Sequence, residues 1–195
     1  MQTQTSELKN ICVLGLGYIG LPTASLLATK GLQVLGVDTD PFVTSTISRG
    51  EIHITEPDLD ILVKSAVQSG RLKVSGEPAP ADAFILAVPT PFREGFIPDL
   101  SYLEAATAAI APHLRPGNLV ILESTSPVGT TETIADWLRK KRPDLQIPQW
   151  QGAWQTPDPK VSTPAGKQQQ IFVAHCPERV LPGNLLRELV ENDRT

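Results

Sequence analysis

The sequence predicts an α/β fold, a doubly wound and mainly parallel sheet of six strands with helices on both faces. Short runs that are apolar along their whole length recur through the chain, the mark of strands buried on both faces. Helical patterns alternate with these runs from the start, and a βαβα rhythm builds a parallel sheet. The 195 residues suit one domain with a substantial core.

The elements follow in order. Asn10 to Leu14 (NICVL) reads as a buried strand, and Tyr18 to Lys30 as a helix rich in Ala and Leu, stopped by Gly31. Gln33 to Val37 is a second strand ending at Asp38. Pro41 to Arg49 is a short helix with Asp40 as its cap and Pro41 in its first turn. Asp58 to Gln68 is a helix, followed by a weaker strand near Leu72 to Val74. Ala83 to Val88 is a continuous apolar strand, and Tyr102 to Ala111 a helix capped by Asp99 or Ser101. Leu119 to Leu122 is the next strand and Thr131 to Lys141 the next helix. Ile171 to Ala174 and Leu185 to Val190 are the last strand and the last helical piece. This order makes a Rossmann-type sheet.

One segment breaks the rhythm. Residues 143–170 hold five prolines, Trp150, Trp154 and a terminal run of three glutamines, with neither helical nor strand periodicity. They read as a mobile surface insertion or as a partner-binding loop that uses the two indoles.

Composition excludes several classes. A net charge of −4 argues against broad binding to nucleic acid or an anionic membrane. No apolar run approaches the ~18–20 residues of a membrane helix. Two cysteines exclude a disulfide scaffold, and the N-terminus MQTQTSELKN lacks the pattern of a signal peptide. The expectation is a cytoplasmic protein.

The strongest local signal is Gly15-Leu16-Gly17-Tyr18-Ile19-Gly20, placed where the first strand passes into the first helix. Gly15 permits the tight turn, Gly17 lets the backbone approach a pyrophosphate, and Gly20 allows close packing of helix on strand. The positive end of the helix then faces the diphosphate. Asp38, 18 positions beyond Gly20, ends the second strand, where a carboxylate accepts hydrogen bonds from the adenosine ribose. It would repel a 2′-phosphate, so the cofactor expected is NAD rather than NADP.

Further turns fall on the same edge of the sheet: Val88 to Pro91, Glu123 to Thr131, and His175 to Arg179. Ligands of open α/β sheets bind outside the carboxyl ends of the strands. Ser, Thr and Pro are also common in ordinary turns, so each turn alone leaves both readings open.

Together these turns resemble the UDP-sugar 6-dehydrogenase (UDP-glucose/GDP-mannose dehydrogenase) family, through GLGYIGLPTA, GVDTD, RGEIHITEPDL, AVPTPF, ILESTSPVGTTE and CPERVLPGNLLREL. GEIHITEPDL, ESTSPVGT and CPERVLPG look most like its UDP-N-acetyl-D-mannosamine branch. The resemblance implies a double oxidation of a UDP-sugar primary alcohol to the carboxylate with two NAD⁺. The product would be UDP-N-acetyl-D-mannosaminuronate, a precursor of bacterial surface polysaccharide. It further implies that Tyr18, Ile19, Asp38, Thr90 and Thr131 contact NAD. By the same resemblance Thr125 and Glu178 act in catalysis, and Arg179 and Val180 touch the substrate.

Residues 1–195 would then be the NAD-binding domain. Family members run about twice this length, with a connecting helix and a UDP-sugar-binding domain that this sequence does not contain. The family's catalytic Lys, Asn and nucleophilic Cys, in a GGHC-like run, belong to that missing part. Cys12, inside a strand, and Cys176, at a strand end beside a carboxylate, both read as packing residues. His53, His113 and His175 show no metal-ligand spacing. Two hypotheses stay open: the cofactor half of a dehydrogenase for UDP-N-acetylmannosamine or another UDP-sugar such as UDP-glucose, or a non-catalytic NAD-binding module. The partners expected are a UDP-sugar and either a second copy or a separately encoded catalytic half. An apolar stripe at Leu185, Leu186, Leu189 and Val190 predicts self-association if it is left uncovered.

Overall fold

The structure is a computed structural model and describes residues 8–150, 154–155, 170–177 and 183–191. Its centre is a six-stranded sheet: β1 (Asn10–Leu14), β2 (Gln33–Val37), β3 (Leu72–Ser75), β4 (Ala83–Leu86), β5 (Leu119–Leu122) and β6 (Phe172–His175). The spatial order is β3-β2-β1-β4-β5-β6, and every pairing is parallel. The order reverses at β1, which lies between β2 and β4, with Cys12 opposite Leu35 on one side and Phe84 on the other.

Successive strand residues point to opposite faces, so each apolar run feeds two cores. Cys12, Leu14, Phe84, Leu86, Val120 and Leu122 pack on one face beneath α4 (Ser101–Ile110) and α5 (Thr130–Lys141). Ile11, Val13, Ala83 and Ile85 pack on the other beneath α1 (Gly20–Thr29), α2 (Pro41–Ser48) and α3 (Leu59–Gln68). The helices supply matching stripes, Leu103, Ala106 and Ile110 from α4 and Leu59, Val63 and Ala66 from α3. This two-sided burial is why β4 and β5 carry no polar alternation, whereas edge strand β3 (LKVS) exposes Lys73.

Most boundaries lie within two residues of the expectation. Asp40 does cap α2, accepting the Phe42 N–H at 2.8 Å, and Pro41 occupies the first turn. At α4 the cap position itself is Leu100, but the Asp99 carboxylate accepts the Ser101 N–H at 2.9 Å. Asp58 stands outside α3 in the left-handed region, with φ 61°, and makes no side-chain cap.

Two expectations need correction. The stretch from Pro143 is not structureless at its start. Leu145 and Ile147 are buried in the core under α5, the Ile171 N–H donates to the Gln146 carbonyl at 3.0 Å, and Gln149–Trp150 pairs antiparallel with Trp154–Gln155. Two apolar side chains two apart suffice to close the sheet edge there, too short a pattern to read as a period. The mobile-insertion and partner-loop readings otherwise fall on residues, and on Trp150 and Trp154 side chains, outside those described.

The apolar stripe of α6 (Leu185–Glu191) is also not left bare. Leu185 and Leu189 are 1% and 6% exposed, and Leu186 packs against the same core as α1. The basis for self-association through these three leucines is removed, because the helix turns them inward onto α1. Among the described residues, no helix is long and apolar enough to cross a membrane.

Candidate functional site

The glycine turn between β1 and α1 divides its three glycines by what surrounds them. Gly15 has φ +88°, and a Cβ there would meet the Ala87 carbonyl oxygen at 2.6 Å. A Cβ on Gly20 would lie 1.8 Å from the Gly15 oxygen, so only glycine lets α1 start this close to β1. Around Gly17 nothing lies within 4 Å of the corresponding position. Its bare backbone faces open space, the cradle that a Cβ would fill. A pyrophosphate fits this arrangement, since the loop leads into a helix N-terminus.

Between these glycines, Leu16 is fully buried and sits on Gly36 of β2, where a Cβ would meet its Cδ2 at 2.9 Å. The loop is thus clamped onto β2, and Gly15 N–H donates to the Val37 carbonyl at 2.8 Å. Asp38 completes the clamp. Its Oδ2 accepts the Leu16 N–H at 2.9 Å and its Oδ1 accepts the Asp40 N–H at 3.0 Å. The half-buried carboxylate therefore stands beside the glycine loop, held from both sides, with lone pairs left for a ribose. Tyr18 is exposed and Ile19 half-buried on the same loop.

The loops after β4 and β5 are tied together. The Ser124 hydroxyl donates to the Val88 carbonyl at 2.6 Å, and the Thr90 hydroxyl to the Thr125 carbonyl at 2.5 Å. Thr125 is exposed, Thr90 is half-buried, and Thr131 lies half-buried in the first turn of α5. The β4 loop in turn touches the glycine turn through Ala87. Gly15, Gly17, Tyr18, Ile19, Gly20, Asp38, Thr90, Thr125 and Thr131 thus share the carboxyl edge of the sheet. Glu178, Arg179 and Val180 lie outside the described residues. The chain enters that stretch from the same edge, where the Cys176 N–H donates to the Leu122 carbonyl at 2.9 Å.

Beyond Thr90, Phe92–Arg93 and Ile97–Pro98 form a small antiparallel turn. An Arg93–Asp99 ion pair at 2.8 Å braces it, and the Arg93 guanidinium holds the Asp99 carboxyl well below the usual carboxylate range.

Sequence reasoning missed two supports of the site. The Thr23 hydroxyl on α1 donates to Oε1 of Glu123, which is 2% exposed, at 3.1 Å. This bond joins the cofactor helix to the loop that carries Thr125. The signal was present: an acid directly after an all-apolar strand has to be matched within the fold. The second is Glu56, in the GEIHITEPDL run, whose carboxylate receives the Gly183 and Leu185 N–H groups. No local pattern announces a contact over that separation.

Cys12 is fully buried, and desolvation pushes its thiol up to about 11, the opposite of an activated nucleophile. Cys176 is half-buried. Among the described residues, no group of three or more His, Cys, Asp or Glu could hold a metal ion.

Comparison with known proteins bears on this edge. The model of the NAD binding domain of the UDP-glucose/GDP-mannose dehydrogenase family matches residues 9–195. The chain is 56% identical over 188 residues to an NDP-N-acetyl-D-galactosaminuronic acid dehydrogenase from Ralstonia nicotianae, covering 96% of this chain and 41% of that protein. It is 52% identical over 184 residues to the UDP-N-acetyl-D-mannosamine dehydrogenase of Escherichia coli, covering 94% of this chain and 40% of that one. The solved UDP-N-acetyl-mannosamine dehydrogenase from Staphylococcus aureus superposes with a TM-score of 0.80 at 37% identity, over 95% of this chain and 40% of that one. The chain spans about two fifths of the length of these relatives. On the match from residue 9 onward and the edge geometry above, it belongs to the UDP-glucose/GDP-mannose dehydrogenase family and carries that family's NAD-binding domain.

Proposed function

We propose that this chain is the cofactor-binding part of an NAD-dependent dehydrogenase that oxidises UDP-N-acetyl-D-mannosamine to UDP-N-acetyl-D-mannosaminuronate. The observation that carries it is the glycine turn, closed at Gly15 and Gly20 and open at Gly17, with Asp38 held beside it. Gly15, Gly17 and Gly20 shape the pyrophosphate cradle, Asp38 holds the ribose, and Tyr18, Ile19, Thr90 and Thr131 line the rest of the dinucleotide. Bound NAD⁺ supplies the hydride acceptor. Thr125 and Glu178 relay protons at the reacting carbon, since a hydroxyl and a carboxylate can share a proton through water. Arg179 pairs with an anionic group of the sugar nucleotide, and Val180 contacts it. The sugar assignment is supported by the GEIHITEPDL, ESTSPVGT and CPERVLPG runs and by the identity to proteins named UDP-N-acetyl-D-mannosamine dehydrogenase.

A second reading has its own support. The relative at 56% identity is named for N-acetyl-D-galactosaminuronic acid, which favours the galacto epimer of the sugar. In either case Cys12, buried in β1 with its thiol pushed up to about 11, is no nucleophile for the second oxidation. The chain alone binds NAD⁺ and forms no uronate.

Calorimetry with NAD⁺ and NADP⁺ tests the cofactor half. NAD⁺ should bind well ahead of NADP⁺, and absence of heat with both ends the reading. NADH formation by the full gene product that carries this chain tests the sugar. Turnover of UDP-N-acetylmannosamine is expected, and turnover only of its galacto epimer selects the second reading. No turnover with any UDP-sugar selects a non-catalytic module, and sustained turnover by the 195 residues alone shows the catalytic inventory wrong.

A further inference from the structure

Phe42 is 66% exposed, although it lies on a helix whose Val43, Thr46 and Ile47 are buried. It is the second residue of α2, and α2 begins three residues after Asp38. The connection is rigid: Asp40 N–H donates to Asp38 Oδ1 at 3.0 Å, and Phe42 N–H donates to Asp40 Oδ1 at 2.8 Å. Pro41 locks φ at the first helical position. Helical side chains lean toward the N-terminus, so the ring leans toward the carboxyl edge of the sheet.

A dinucleotide laid on this edge runs in a set direction. Its pyrophosphate rests on the glycine loop after β1 and its adenosine ribose on the acid ending β2. The base must then extend past Asp38, away from β1, over the connection between β2 and α2. Thr39 and Asp40 there are exposed and polar. A flat, apolar ring next to them is what a purine stacks on, and its backbone is already held by Asp40 and Pro41.

We propose that Phe42 is the platform on which the adenine of NAD stacks, and so sets affinity for the adenosine half of the cofactor. This rests on the dinucleotide reading of the glycine loop and Asp38. The ring contributes little to the core, so its replacement leaves the fold intact.

Calorimetry on the wild type, Phe42→Ala and Phe42→Trp, with NAD⁺, ADP-ribose and nicotinamide mononucleotide, tests it. Phe42→Ala should weaken NAD⁺ and ADP-ribose by about fivefold to hundredfold, the range for one stacked base. Phe42→Trp should bind both within about twofold of wild type, because every aromatic face stacks a base. Affinity for the mononucleotide and the melting temperature without ligand should not change. Equal NAD⁺ affinity in Phe42→Ala overturns the proposal, as does equal loss in Ala and Trp variants. If the wild type itself binds neither NAD⁺ nor ADP-ribose, the glycine-loop reading has failed as well, which separates the two cases.

Discussion

The Glu56 carboxylate accepts the Leu185 N–H at 2.8 Å, across 129 residues of chain, and the Gly183 N–H at 2.9 Å with its other oxygen. Glu56 is 5% exposed, and these two donors lie at the start of α6. A loop between α2 and α3 therefore holds the helix that follows β6. Hydrogen bonds to a buried charge contribute about 1.5–3 kcal/mol each.

Glu56→Ala should accordingly destabilise the protein by about 2–4 kcal/mol, since it strands two donors. Glu56→Gln, which keeps one acceptor, should cost less. Urea unfolding of the three proteins checks the order. Equal midpoints would mean that α6 is held by Leu185 and Leu189 alone.

The three glycines should separate fold from binding. Gly20→Ala places a methyl 1.8 Å from the Gly15 oxygen and should destabilise by at least about 3 kcal/mol, at the upper end for overpacking. Gly17→Ala adds a Cβ with nothing in the protein within 4 Å and should melt near the wild type, yet lose NAD⁺ binding by more than about tenfold through collision with the pyrophosphate. Thermal melts paired with cofactor titrations decide. Unimpaired binding by Gly17→Ala would remove the cradle.

Asp82 gives a pH signature. Its Oδ2 accepts the Asn10 N–H at 2.8 Å and the Lys9 N–H at 2.9 Å, tying the start of β4 to the entry of β1. The hydrogen bond from Asn10 N–H, then that from Lys9, lowers this carboxyl from its ordinary 3.8. A lowered folded value means the stabilisation is whole above that ordinary value and disappears as pH falls through the folded one. Asp82→Asn should be less stable than wild type at neutral pH, by a small amount because the pair is exposed. The gap should close only below about pH 4. A gap that closes between neutral pH and 5 would point to another group.

Cys12 should be silent to thiol reagents. Burial in β1 pushes its thiol up to about 11 and denies access. At mildly alkaline pH, maleimide should label it only on unfolding, while Cys176 at the end of β6 labels in the native protein. Mass spectrometry of the labelled peptides checks this. Native labelling of Cys12 would mean that β1 opens.

The elements of this fold were legible because the central strands β1, β4 and β5 are almost wholly apolar and the helices packed on them carry apolar stripes, both local properties of the chain. The glycine turn and Asp38 were legible for the same reason: the motif and its acid lie within one βαβ unit. Local pattern was enough for the sheet, for the glycine turn with Asp38 beside it, and for NAD as the cofactor. Only the tertiary structure decided that Leu16 seats on Gly36, that Glu123 meets Thr23, and that Glu56 holds α6 with its leucines turned inward. Those contacts join residues 20 to 129 positions apart, and no short-range pattern encodes them. Burial of an acid or an apolar stripe is a property of what packs over it, which the chain acquires only when folded.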